Sequence, residues 1–395
     1  MNSAIGKRAG VYVHFPWCLA KCPYCDFVSY VGSIDHVGYA NAVLRELDAR
    51  APFFHGRRIE SVFFGGGTPS LWETRELGRV LSGVRRVLGA DGDIEVTVEC
   101  NPTSLDEDKA RALTDVGVSR VSIGVQSLRD DRLRFLGRLH DARGAETAIL
   151  GAVRAGVPRV SADIIFGLPE QTPAEACADV KRLTDLGLAH LSCYQLTIEA
   201  GTRFGELARR GRLPLAEDGA VADAFLAIDE LLTAGGFRHY EISNFARPGE
   251  EARHNLGYWR GDEYLGLGCA AVGFVRIAGA AEARGVRWRN ATIPERYVET
   301  TKGQRESPPK EDPDELLDAE ALMRERIMLG LRTDEGLDFD EAARDLGLAR
   351  GGWTPARIRT AAWLEERHRI VRDRSLARVP RAAWLWADDT AARLF

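Results

Sequence analysis

Residues 11–27 read VYVHFPWCLAKCPYCDF. The stretch opens as an apolar run of strand length, and a cysteine follows almost at once. Three thiols then come at Cys18, Cys22 and Cys25, a C-x3-C-x2-C spacing, and the run passes through Asp26 and Phe27 without another. Structural zinc wants four ligands, usually as paired C-x2-C knuckles. No second pair exists, because Cys100, Cys177, Cys193 and Cys269 stand singly. His14 could complete a zinc set, but it sits within the strand, where histidine more often packs. The other reading is a 4Fe–4S cluster held by three thiolates, which leaves one iron open to a small molecule. The scattered cysteines read as small buried hydrophobes.

Outward from this stretch the chain alternates short apolar runs with helical patterns. Strands are expected at 11–15, 59–64, 94–100, 120–125, 160–166 and 191–198, and helices at 37–50, 74–88, 105–116, 142–155 and 173–186. Gly117, Gly156 and Gly187 stand where helices end, and Ser104 and Thr172-Pro173 where they begin. Strand and helix repeating at this interval give right-handed crossovers and a parallel sheet. Six such units fit a partial (βα)6 TIM-like barrel, with a doubly wound sheet as the rival. In both, ligands sit beyond the C-terminal ends of the strands.

After residue 198 the pattern loosens. A helix is expected near 218–234, followed by HYEISNFARPGEEARHNLGYW and the Gly-rich YLGLGCAAVGF, in which Gly266 and Gly268 read as close backbone approaches. The polar, Pro-bearing segment 301–315 reads as a linker between a barrel domain with its extension (1–300) and a small, mostly helical C-terminal domain (316–395). The net charge of −5 offers no footprint for nucleic acid. No apolar run is long enough to span a membrane. The N-terminus lacks the apolar core of a secretory signal. Clustered cysteines in such a chain imply a reducing compartment, so a cytoplasmic location is expected.

C-x3-C-x2-C after the first strand of a βα barrel resembles the radical SAM superfamily. There the open iron chelates S-adenosylmethionine, and electron transfer cleaves it to a 5′-deoxyadenosyl radical. FFGGGTPS (63–70) resembles the GGGTP form found in the oxygen-independent coproporphyrinogen III oxidase family and its relatives. The resemblance implies cofactor contacts from Gly66, Gly67 and Thr68, from Tyr12 near the sulfonium and from Tyr24 near adenine. It implies further contacts at successive strand ends: Glu99 in TVECNP, Gln126 in SIGVQS with Arg138 beyond it, and Asp163 in SADIIFGLP.

Two features separate the chain from the decarboxylating enzymes of that family. Their additional cysteine falls at Phe27 here, and Cys18 comes too early for their N-terminal extension. HNLGYW instead resembles the H-N-x-x-Y-W motif of a heme-chaperone branch, which implies heme contact by His254, Asn255, Tyr258 and Trp259. A neutral imidazole can ligate iron, and the aromatic faces suit a porphyrin. RERIMLGLRTDEGL (324–337) resembles the start of the family's C-terminal domain, and Arg332 within it takes no role from sequence. The resemblance implies a radical SAM heme chaperone, with coproporphyrinogen oxidation or passive heme binding around a structural cluster as alternatives. Whether the chain turns over as an enzyme is left open. Its partners would be heme, an electron donor of the flavodoxin or ferredoxin class and heme-accepting proteins, respiratory ones among them. Family analogy also allows a homodimer.

Overall fold

The structure is a computed structural model, and it describes residues 7–90, 92–277, 284–302 and 314–395. Six parallel strands, β1 (Arg8–Phe15), β2 (Arg58–Gly66), β3 (Glu95–Cys100), β4 (Arg120–Gln126), β5 (Arg159–Phe166) and β6 (His190–Gln195), lie side by side in sequence order. The connections carry α1 (His36–Arg50), α2 (Thr74–Leu88), α3 (Glu107–Asp115), α4 (Asp130–Phe135), α5 (Ala142–Arg154) and α6 (Pro173–Asp185). Right-handed crossovers between neighbours in unbroken order put every helix on one side of the sheet. A doubly wound sheet would reverse its order partway. The (βα)6 partial barrel is therefore the architecture.

Strand residues alternate between the helix layer and the interior. Val11, Val13, Phe15, Val62, Phe64, Val96, Val98, Val121 and Ile123 face the helices and are fully buried. Each contributes roughly 1.5–3 kcal/mol of apolar burial. Parallel register keeps the opposite face continuous: Tyr12 pairs with Phe63, Glu99 with Ser122, and Asp163 with Ser192. The barrel interior is thus lined with polar and aromatic groups.

After β6 come α7 (Arg203–Arg209) and α8 (Asp218–Ala234), the hairpin β7 (Arg238–Glu241) and β8 (Asn244–Ala246), α9 (Arg253–Trp259), and then β9 (Glu263–Leu267), β10 (Val272–Arg276), β11 (Gly285–Arg289) and α10 (Pro294–Thr300). β8 closes antiparallel on β6, and β9 returns across the barrel to pair parallel with β1. Both edge strands of the six are covered, so neither presents open backbone groups.

The last segment comprises β12 (Glu315–Leu317), α11 (Ala319–Gly330), β13 (Leu337–Asp338), α12 (Phe339–Leu346), α13 (Pro355–Glu365), β14 (Val371–Asp373), β15 (Leu376–Arg378) and α14 (Ala387–Ala392). Helices dominate, as expected, but β13, β15 and β14 form a small antiparallel sheet that sequence reading missed. Strands of two or three residues are too short to show alternation. β12 pairs with β11 in the main sheet, and the C-terminal core takes in Phe274 from β10. Most of the expected 301–315 linker, residues 303–313, lies outside the described residues.

Thr172 forms a capping box with Glu175, as Thr-Pro predicts. The expected start at Ser104 gives way to Asp106, whose carboxylate accepts the Lys109 N–H at 2.7 Å, while Pro102–Ser104 forms a short 3-10 turn. β6 ends at Gln195 rather than 198, because its pairing with β5 stops at Phe166. Among the described residues no helix is long and apolar enough to cross a membrane.

Candidate functional site

The cysteine loop leaves β1 at the barrel mouth. Its base is pinned by two backbone bonds, Tyr30 N–H to Pro16 O at 2.8 Å and Cys18 N–H to Tyr30 O at 2.9 Å. Within it the Cys25 N–H donates to Cys22 O at 3.2 Å. Thr68 Oγ1 donates to Cys18 Sγ, and Arg138 Nη1 to Cys22 Sγ, both at 3.4 Å. Burial raises the Cys18 thiol and pushes Cys25 up to about 11. Burial disfavours the ionised form of Cys18 and Cys25, a cost that thiolate–iron bonds would offset. Among the described residues, no three His, Cys, Asp or Glu side chains gather closely enough to hold a single metal ion. A cluster asks for less convergence, since each thiolate takes its own iron and the ligands can stand apart by the width of the cubane. Three thiols on one pinned loop, with an arginine as countercharge, match that donor set.

The glycine run closes β2 against this loop. A Cβ on Gly67 would lie 2.6 Å from Trp17 O and 2.8 Å from Trp17 N, so only glycine lets β2 approach the loop backbone. The Gly67 N–H is spent on Phe15 O at 2.8 Å, and the Gly66 N–H donates to Glu99 Oε2 at 3.0 Å. Both expected cofactor-contacting amides are therefore engaged within the protein. Thr68 N–H reaches Trp17 O at 2.8 Å, which leaves its hydroxyl for Cys18.

Two carboxyl groups face each other across the interior. Burial, reinforced by Asp163, pushes Glu99 up to about 8 against the opposing Gly66 N–H. Burial also raises Asp163, although the Ser192 and Ser122 hydroxyls hold it down, the latter at 3.0 Å. Both side chains remain partly reachable by solvent. Two acids share this low-dielectric chamber, with Arg120 and Arg138 acting on Asp163 from a distance, and Glu99 is left to attract positive charge. Tyr12 lies near Glu99 and bonds His14 Nδ1 at 3.1 Å, while His14 Nε2 donates to Val28 O at 2.8 Å. Burial holds His14 near 4, so it is neutral and joins strand to loop rather than offering a lone pair to metal.

At the end of β4, Gln126 folds its carboxamide over Gly124, where a Cβ would meet Gln126 Nε2 at 2.8 Å. Arg138 Nη2 donates to Gly124 O at 2.9 Å. Tyr24 packs beside Phe135 and Leu136, and burial pushes its phenol well up. The structure thus brings Tyr12, Tyr24, Gly66, Gly67, Thr68, Glu99, Gln126, Arg138 and Asp163 to the cysteine end of the barrel. A narrow crevice opens there between Leu19, Cys22, Thr68, Asn101, Arg138 and Leu139.

HNLGYW lies elsewhere. α9 plugs the opposite end, beneath the N-termini of the strands. The His254 N–H donates to Glu95 Oε1 at 3.0 Å, and the ring packs against Gly10. Gly10 and Phe15 are five residues apart on β1, about 16 Å along the strand. His254 is 3% exposed, and both ring nitrogens are engaged, Nδ1 with Ser61 Oγ at 2.8 Å and Nε2 with Tyr258 Oη at 3.1 Å. Burial depresses it to about 3. Its ring stacks on Phe63 (4.9 Å) and Tyr12 (6.4 Å), which fills the barrel between mouth and floor. Asn255, Tyr258 and Trp259 are half-buried. An open cavity of about 250 Å³ lies beside them, lined by Arg8, Ser61, His254, Tyr258, Arg260 and Tyr264. Arg332, unassigned from sequence, sits 6.0 Å over the Trp259 ring and bonds Asp388, while its carbonyl accepts the Ile242 N–H. Gly266 and Gly268 are close approaches, but to the protein's own Val272 and His14 carbonyls.

Sequence reading missed Tyr194, Ser122 and Ser192. Period two from Asp163 and its partner Ser192 would have put Tyr194 on the inward face of β6. It is 40% exposed, and Asp163, Glu241 and Glu99 lie near its phenol.

Residues 12–183 match the radical SAM superfamily and residues 317–386 the HemN C-terminal domain. The heme chaperone HemW of Escherichia coli K12 is 39% identical over 74% of this chain and 77% of its own. The Mycobacterium tuberculosis H37Rv protein of that name is 34% identical over 84% and 83%. The mitochondrial radical S-adenosyl methionine domain-containing protein 1 of Bos taurus is 36% identical over 84% and 74%. Among solved structures, coproporphyrinogen III oxidase HemN from E. coli superposes with a TM-score of 0.80, covering 98% of this chain and 90% of that one at 22% identity. That likeness speaks for the shared fold.

Proposed function

This chain belongs to the radical SAM superfamily, in the branch of the heme chaperone HemW, and from that premise we propose that it binds heme and passes it to acceptor proteins. Cys18, Cys22 and Cys25 would hold a 4Fe–4S cluster. Glu99, Asp163, Gln126, Arg138, Thr68, Tyr12 and Tyr24 would surround S-adenosylmethionine, with Gly66 and Gly67 shaping the wall. When bound, the cluster supplies one-electron reduction of the sulfonium. The residues of this chain orient the nucleoside and neutralise its positive groups.

The observation that carries the reading is the division of one barrel into two ends. The mouth combines three thiols with two buried carboxyl groups, both raised by burial. The floor combines HNLGYW with an open cavity of about 250 Å³, at which Tyr258 and Tyr264 could meet one face or edge of a flat tetrapyrrole. Axial ligation through His254 Nε2 would require the Tyr258 hydroxyl to leave. Contact through the aromatic faces needs no such exchange. A His254→Ala variant with unchanged heme absorption and affinity would exclude ligation by that residue. The reading extends to a cytoplasmic protein served by an electron donor of the flavodoxin or ferredoxin class, with respiratory proteins as heme acceptors and homodimerisation open to its partner surfaces.

The rival is oxidative decarboxylation of coproporphyrinogen III, favoured by the HemN-like fold and opposed by Phe27 where those enzymes carry a further cysteine. One parallel experiment separates them. Anaerobically reconstituted protein is given either coproporphyrinogen with S-adenosylmethionine and reductant, or heme followed by an apo-acceptor. Heme transfer without protoporphyrinogen formation supports the chaperone, and protoporphyrinogen formation overturns it. Heme binding and transfer unchanged by removal of cluster and nucleoside would reduce the protein to a passive binder.

A further inference from the structure

One short turn at the mouth does more than its sequence announces. Register between β4 and β5 shifts at Gly124–Gln126. Gln126 takes φ +67, the left-handed region that side chains avoid, and the Ser127 N–H bonds back to Val125 O at 2.9 Å. An i-to-i+2 bond around a residue of positive φ is the rare, strained form of γ-turn. Such strain persists only where the surroundings over-determine it.

Those surroundings are visible. The shift frees two successive carbonyls of β4, and both are captured from Leu136–Gly137–Arg138–Leu139–His140, between α4 and α5. Arg138 Nη2 takes Gly124 O at 2.9 Å, and His140 Nε2 takes Val125 O at 3.0 Å. On the far side Asp179 Oδ2 accepts from Ser127 Oγ at 2.7 Å and from the Leu128 N–H at 3.1 Å. Because a carbonyl only accepts, His140 carries its proton on Nε2. Its Nδ1 is buried and meets no donor among the described residues. The ring is 8% exposed, and burial with Arg138 keeps it neutral. A neutral imidazole that spends its one N–H on the carbonyl preceding a strained residue acts on that residue.

We propose that His140 is a positioning residue: through Val125 O it holds the turn that presents the Gln126 carboxamide to the nucleoside in the barrel mouth. This rests on the reading that the mouth binds S-adenosylmethionine. Its own contribution is orientation, since His140 reaches Gln126 only through the backbone.

The test titrates anaerobic, cluster-loaded protein with S-adenosylmethionine by calorimetry, alongside iron and sulfide content and the cluster EPR signal before and after addition. His140→Leu is expected to retain iron and sulfide yet bind the nucleoside about ten- to a hundredfold more weakly, as loss of an outer-shell partner does. His140→Gln, which restores one N–H donor, is expected to recover most of that loss. On a Gln126→Ala background His140→Leu should add almost nothing, because the partner it serves is gone. Wild-type affinity in His140→Leu, or losses that multiply in the double variant, overturns the proposal. Should His140→Leu not fold, His140→Gln is compared with His140→Met, which offers Val125 O no donor: weaker binding by the latter supports the proposal and equal binding overturns it. Failure of the wild-type protein to bind S-adenosylmethionine would instead defeat the underlying reading of the mouth.

Discussion

Replacing Glu99 by Gln should stabilise the nucleoside-free protein while weakening nucleoside binding. The Glu99 carboxyl is raised from 4.5 to about 8, first by burial and then by Asp163. Below pH 4.5 both folded and unfolded chains carry the proton, and the group imposes no penalty. Between there and pH 8 the unfolded chain ionises while the folded one keeps its proton, so the stability held by the protonated form drains away as pH rises. At about 1.4 kcal/mol per pH unit the loss reaches roughly 3 kcal/mol at pH 7. Partial solvent access reduces this to about 1–2 kcal/mol. Glutamine cannot ionise, and its carboxamide oxygen still accepts the Gly66 N–H. Thermal unfolding of cluster-loaded Glu99→Gln and wild-type protein at pH 5, 6, 7 and 8 should therefore show a variant advantage that is near zero at pH 5 and grows steadily towards pH 8. S-adenosylmethionine should bind the variant more weakly at pH 7, since a cation-attracting group is lost. A variant less stable than wild type at pH 7, or a difference independent of pH, would refute the account of two crowded acids in the chamber.

Other outcomes follow from the same geometry. Gly67→Ala forces a methyl to within 2.6 Å of the Trp17 carbonyl, so it should cost about 2–3 kcal/mol and lower cluster content, readable from the unfolding midpoint and iron assay. Arg138→Met removes the cation from Cys22 and the donor from Gly124 O, and iron incorporation and nucleoside affinity should fall together. His254→Phe leaves Ser61 and Tyr258 without their shared partner at the barrel floor, which should destabilise the fold by about 1–3 kcal/mol in denaturant while leaving nucleoside binding at the far end intact.

Local signals carried most of the barrel. The apolar runs at 11–15, 59–64 and 160–166 announced their strands, because residues buried against a helix layer must be apolar. Polar residues at successive strand ends converged because parallel register carries each to the same rim. Long-range pairing left no such trace. Nothing in EYLGL says that β9 will return to β1, and nothing in EISNFA says that its hairpin will close the other edge. For the same reason HNLGYW gave no sign that it would plug the floor instead of joining the mouth. His140 escaped notice since a backbone carbonyl, its partner, has no sequence identity. Gln126 was legible by resemblance, while its strained conformation depends on contacts from two other segments.

The central claim is an iron–sulfur centre that Cys18, Cys22 and Cys25 hold by three corners, its last iron left for the nucleoside. Mössbauer spectroscopy of anaerobically reconstituted, iron-57-labelled protein tests it most directly. The account predicts a 4Fe–4S signature in which one iron site shifts on addition of S-adenosylmethionine and which disappears in Cys22→Ser. A spectrum without such a cluster, or a cluster whose irons are all indifferent to the nucleoside, would contradict it.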